Sequence, residues 1–123
     1  MVITYVISGT RPNLSIQATD HYGTVVTVPY STNDIMKNGY TTVREAFIDA
    51  YAPTISFECV WSGTGNIRTC QSTDSHANVI THVADITQSS ENIRTETIGH
   101  FVDFYGMSDD NALYQHLDDY PHD

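Results

Sequence analysis

The sequence predicts an α+β fold: two tandem βββα units related by a pseudo-twofold, antiparallel sheet with helices packed on it, and a C-terminal helix. Three observations carry that reading. The chain matches itself when residue i is set against residue i+54. Each half shows three strand-like segments followed by one helical periodicity. The last stretch, 108–123, has no counterpart in either half.

The self-match needs no gap. Val6, Ser8, Gly9 and Thr10 lie over Val60, Ser62, Gly63 and Thr64. Gln17, Thr19 and Asp20 lie over Gln71, Thr73 and Asp74, and Val25 and Thr27 over Val79 and Thr81. Asn38, Thr41, Phe47, Asp49 and Tyr51 lie over Asn92, Thr95, Phe101, Asp103 and Tyr105. That is 14 identities in 53 aligned positions, where ordinary composition gives about three or four. A unit of this size is marginal alone, because too little of its surface can be buried. Two units packed about a pseudo-twofold make one ordinary core, as in a fused homodimer. The chain is therefore expected to be one domain, with units at 1–53 and 54–107 and an acidic helix over 108–123.

In the first unit, residues 2–9 read as a strand that is apolar on both faces. Leu14, Ile16 and Ala18 alternate with polar residues in the next strand. His21-Tyr22-Gly23 turns the chain into a third strand, from Thr24 to Tyr30. Asn38-Gly39 reads as part of a polar loop. Thr42 and Glu45 form a capping box, in which the hydroxyl takes an orphan amide and the carboxylate reaches back. Val43, Ala46, Phe47 and Ala50 then line one helical face until Pro53. The second unit repeats this, with strands near 55–62, 67–73 and 77–87. Its helix starts after Ser89-Ser90, with Ile93, Thr97, Phe101 and Phe104 on one face, and ends at Gly106. Ser108 is expected to cap the last helix, with Asp109 and Asp110 in the first turn, where negative charge suits the helix dipole. Leu113, His116, Leu117 and Tyr120 fall at helical spacing before Pro121.

The only cysteines, Cys59 and Cys70, flank a glycine-rich turn. Their counterparts in the first unit are Tyr5 and Ile16, and alternation groups Phe57, Cys59 and Trp61 on one face. Both thiols are therefore expected to face the core, reduced, as small hydrophobes. A hairpin centred on Thr64-Gly65 would set the cysteines opposite each other and allow a disulfide. One centred on Gly65-Asn66 sets Cys59 against Ser72 and Trp61 against Cys70.

Charge narrows the function. The formal charge is −10, with five Lys and Arg against 15 Asp and Glu. It is unevenly spread: −1 over residues 1–53, −4 over 54–107 and −5 over 108–123, which sum to the whole. Direct binding of nucleic acid or an anionic membrane needs clustered Lys and Arg, and neither is expected. The apolar start MVITYVISG has no basic region and is too short for a signal peptide or an anchor, so the cytoplasm is the default compartment.

The sequence carries no recognisable catalytic or metal-site motif. His21, His76, His82, His100, His116 and His122 make no zinc-type spacing, although His116, Asp118 and His122 could catch a stray cation. There is no G-x-S-x-G, and S-G-T-G-N lacks the Lys of a phosphate loop. No cofactor and no metal are expected. Asp20 with Asp74, and Asp49 with Asp103, are symmetric acid pairs that could mark a shared site.

These readings favour a non-enzymatic binding protein. Its acidic, Tyr-bearing face, made of Asp109, Asp110, Tyr114, Asp118, Asp119 and Tyr120, would dock on a protein partner with a basic surface and could occlude a nucleic-acid site. Small acidic phage counter-defence proteins act in this manner, a comparison of size and charge alone. One alternative is a structural subunit of a virion or other homo-oligomer. Another is a small-ligand binder at the interface between the units, lined by Tyr51 and Tyr105.

Overall fold

Side-chain alternation decides which face of each sheet is buried. In the computed structural model, which describes residues 1–121, strands β1 (Thr4–Thr10), β2 (Asn13–Thr19) and β3 (Val25–Ser31) form one antiparallel sheet in the order β1-β2-β3. Tyr5, Leu14, Ile16, Ala18, Val26, Val28 and Tyr30 point to its buried face. Val6 and Val25 point to the exposed one. Strands β4 (Phe57–Ser62), β5 (Ile67–Asp74) and β6 (Val79–Asp85) make a second sheet in the order β4-β5-β6. The units therefore contribute separate three-stranded sheets.

Each sheet is followed by its helix, α1 (Met36–Tyr51) and α2 (Ser90–Val102), and the chain ends with α3 (Asp110–Asp119). Helix α1 lies on β3, α2 lies on β6, and the two helices pack on each other. Arg44 of α1 crosses to Asp103 beyond α2, with N–O distances of 2.8 and 3.2 Å. Gly99 permits this crossing, since a Cβ there would stand 2.7 Å from Arg44 Nη2. The expected βββα repeat is thus present twice. Among the described residues no helix is long and apolar enough to cross a membrane.

Helix boundaries differ from the sequence expectation in three places. Helix α1 begins at Met36, so Asn38-Gly39 and the proposed capping box lie inside it. The Thr42 hydroxyl donates to Asn38 O at 2.8 Å, a bond within the helix. Gly39 belongs there because the Tyr30 ring approaches: a Cβ would meet it at 3.0 Å. Ala50 is exposed, while Val43 and Phe47 are buried. Beyond α2 a π turn over Asp103–Met107, closed by Ser108 N donating to Asp103 O, advances the helical phase. It turns Tyr105 inward and leaves Phe104 44% exposed, against expectation. Asp109, not Ser108, occupies the N-cap of α3, and its side chain makes no capping bond. At α2 the expectation holds, since Ser89 Oγ accepts from Asn92 N.

The two sheets differ in what they bury. Positions Ile16, Ala18, Val28 and Val43 of the first unit become Cys70, Ser72, His82 and Thr97 in the second, all of them buried. Ser72 Oγ lies 3.3 Å from Cys59 Sγ and 3.2 Å from Cys70 Sγ. Both thiols are free. The hairpin pairs Cys59 with Ser72 and Trp61 with Cys70, the register centred on Gly65-Asn66. Burial pushes the Cys70 thiol up. Contrary to expectation, only Cys70 is buried, and Cys59 is exposed.

His82 is 6% exposed, and its Nδ1 has no hydrogen-bond partner. Its ring stacks on that of His100, with centroids 4.6 Å apart. Burial first, and His100 second, lower its pKa below the ordinary 6.5. A group with a depressed cationic pKa takes up its proton more readily when unfolded, so stability falls as pH drops below about 6.5 and levels off beneath the folded pKa. Asp74 adds a second loss at lower pH. Burial raises its pKa, but bonds from Tyr105, Asn78 and His76 outweigh burial and hold it below 3.8. A melting temperature that falls from pH 7 to 5, with His82→Val removing that step, is the expected result. A flat profile in the unmodified chain would contradict it.

Candidate docking site on the acidic C-terminal helix

Leucine spacing places α3. Leu113 and Leu117, four residues apart on one helical face, are both buried against the first unit. Burying each contributes roughly 1.5–3 kcal/mol. The end of the helix is held by Arg11, from the β1–β2 turn. Its Nη2 donates to Leu117 O at 2.8 Å and Tyr120 O at 3.1 Å, and its Nε to Pro121 O at 3.3 Å. Tyr120 Oη donates to Gly9 O at 2.5 Å. At the other end, Tyr40 Oη donates to Met107 O, and Tyr5 Oη contacts Met107 Sδ at 3.5 Å. The helix is therefore fixed to the fold at both ends.

That orientation sorts the expected contact residues. Asp109, Asp118 and Asp119 are exposed, and Asp110 and Tyr114 are half-buried. Desolvation, then the charge of Asp110, raises the Tyr114 pKa. Asp119 accepts from Gln115 at 2.9 Å. Tyr120 faces inward, committed to Gly9 and 5.9 Å from the Arg11 guanidinium. Asp118 and Asp119 sit in the last turn, where the helix dipole disfavours negative charge. The possible cation site with His122 lies outside the described residues. Among those residues no group of three or more His, Cys, Asp or Glu is placed to hold a metal.

Most cations are already engaged in holding the fold. Arg44 pairs with Asp103, the only ion pair among the described residues. Arg11 binds the end of α3, and Arg94 donates to Ala52 O at 2.8 Å. The remaining carboxylates, those of α3 included, have no cationic partner among the described residues.

Next to α3 lies a cleft that sequence reasoning missed. It measures about 410 Å³ and is lined by Arg11, Tyr30, Thr32, Asp34, Ile35, Met36, Leu117 and Asp118. Two carboxylates stand on its rim beside the apolar Ile35 and Met36. Reading Asn38-Gly39 as a loop hid this wall, which is the first turn of α1 and the residues before it.

Tyr51 and Tyr105, the residues expected at a ligand site between the units, are brought together at the junction. Tyr51 Oη donates to Asp20 and Tyr105 Oη to Asp74, at equivalent positions. The two phenol rings stand 5.4 Å apart. Tyr22 and His76, also equivalent, stack at 4.0 Å. Burial, then the hydrogen bond to the carboxylate, raises the pKa of both phenols. Each Asp also accepts two backbone amides of its own turn, at Tyr22 and Thr24 or at His76 and Asn78. These groups satisfy one another and brace the pseudo-twofold. Asp49 and Asp103 do not form a matching pair: Asp49 is exposed, and Asp103 is bound to Arg44.

No protein-family model, curated protein or solved structure matches the chain.

Proposed function

We propose that the chain is a non-enzymatic binding protein whose acidic C-terminal helix docks on a basic protein surface. The observation that carries this reading is the set of unpaired carboxylates on a helix that is itself immobilised. Asp118 and Asp119 weaken the helix they stand on, and a locally unfavourable charge is readily explained by an external partner. The adjoining cleft suits a Lys or Arg of that partner. Its aliphatic stem would lie on Ile35 and Met36 and its charged head between Asp34 and Asp118. A basic patch that binds nucleic acid is the kind of surface such a face would occlude, making inhibition the consequence. The protein would work in the cytoplasm, where its thiols stay reduced.

The test is capture on the immobilised chain, compared with D109N/D110N/D118N/D119N. At low salt the variant is expected to lose roughly tenfold or more in affinity, with the difference shrinking as salt rises. Equal affinity at low salt would remove the reading. The exposed valines on the outer sheet faces, Val6, Val25, Val60, Val79 and Val83, favour the alternative of a self-assembling structural subunit. Native mass spectrometry separates the two. A monomer across concentrations fits the binder, and a defined or growing oligomer fits the subunit.

A further inference from the structure

The two units differ in what covers their first strands. Helix α3 lies along β1, with the His116 and Tyr5 rings 5.7 Å apart and Tyr120 reaching Gly9 near the hairpin. On the second unit, among the described residues, no helix lies on β4 to a comparable degree. Chain connectivity explains the difference. After α2 the chain continues into α3, which covers the first unit. By the pseudo-twofold, a helix following α1 would cover the second. Only residues 52–56 separate α1 from β4, too few for such a helix.

The strip left open is the counterpart of the α3 seat. Tyr5 is 4% exposed, whereas its equivalent Cys59 is exposed. Ile7 is half-buried, whereas its equivalent Trp61 is 39% exposed. Leu14, buried beneath the α3 end of the first sheet, is replaced by Arg68. Arg68 donates from Nε to Gly65 O at 3.0 Å and pairs with no carboxylate among the described residues. It stands at the hairpin end of its sheet, the end at which Arg11 of the first unit receives the terminal carbonyls of α3.

We propose that this strip binds an amphipathic helix of a partner protein, laid along β4 as α3 is laid along β1. Two apolar side chains four residues apart would cover Cys59 and Trp61. The negative C-terminal end of that helix would meet Arg68, a complement of charge that fixes its direction. The surface lies on the second unit and does not depend on the role proposed for the acids of α3.

The site carries its own reporters, since Trp61 is the only tryptophan and Cys59 the exposed thiol. The probe is a synthetic peptide of residues 108–121, added to the full chain at about 0.15 M salt so that long-range repulsion is screened. The expected result is a saturable blue shift of Trp61 emission and a several-fold slowing of Cys59 alkylation. Arg68→Glu should weaken both. A peptide with Leu113 and Leu117 changed to Asp should produce neither. Unchanged emission and alkylation would overturn the proposal, as would an equal response to the Asp-substituted peptide. If emission and alkylation instead depend on protein concentration without peptide, a second copy covers the strip, and the helix proposal fails.

Discussion

Replacing Asp74 with Ala is expected to lower stability by about 3–6 kcal/mol, the largest effect of any single polar change. The carboxylate accepts the backbone amides of His76 and Asn78 at 2.9 and 2.8 Å and the Asn78 side chain at 3.0 Å. It also accepts the Tyr105 hydroxyl. Tyr105 is 1% exposed, so its orphaned hydroxyl would find no water. A buried donor left unmet costs about 1–3 kcal/mol, and each lost turn bond about 1 more. The total is a large share of the roughly 5–15 kcal/mol that holds a domain together. Tyr105→Phe separates the contributions, since it keeps the turn and loses only the bond from the end of the second unit's helix to that turn. Asp20→Ala should cost less than Asp74→Ala, because its partner Tyr51 is half-buried and also receives the Thr24 hydroxyl at 3.0 Å. Urea midpoints of the three variants check the order. A loss below about 1 kcal/mol for Asp74→Ala would mean that these bonds of the second unit contribute little to its stability.

Gly106→Ala is expected to cost about 2–5 kcal/mol and to loosen α3. Gly106 has φ 137°, a conformation that L side chains rarely adopt. An added Cβ would stand 2.7 Å from Ile3 Cγ1 and 3.0 Å from Ile3 N. The backbone strain is worth roughly 1–3 kcal/mol and the overpacking a similar amount. Gly23→Ala is the control. It has φ 81°, but nothing lies within 4 Å of its Cβ position, so it bears the conformational penalty alone. Thermal melts of the two variants should differ by the clash, and equal losses would show that Ile3 moves aside without cost.

How much of this was legible depended on how local the cause was. The strand alternation around Leu14, Ile16 and Ala18 and the turn chemistry of Asp20 and Asp74 reside in a few adjacent residues. Their structural outcome follows the sequence closely. Matching Asp20 to Asp74 and Tyr51 to Tyr105 located both halves of the junction, although not that each Tyr would bond the Asp of its own unit. Asn38-Gly39 misled because a glycine that ordinarily marks a loop serves here as space for the Tyr30 ring, which comes from a different element. Phe104 misled because one π turn shifts the phase of every residue after it. No periodicity within the helix announces that shift.

The proposed docking face was legible as charge and spacing: the acids of 108–123, and Leu113 with Leu117. Its inward lock through Arg11 and Tyr120 was not, because those contacts span about a hundred residues. The cleft beside it joins the β1–β2 turn, the start of α1 and the end of α3, segments that only the folded chain brings together.

The sequence by itself determined the repeat, the strands, the helices' existence and the acidic balance, since each is written in neighbouring residues or in a constant offset. Tertiary structure alone decided which of two matching faces is covered. Cys59 and Tyr5 occupy equivalent positions, and pattern gives both a buried place. One lies under α3 and the other does not, because a helix can cover only the face that its connecting chain can reach.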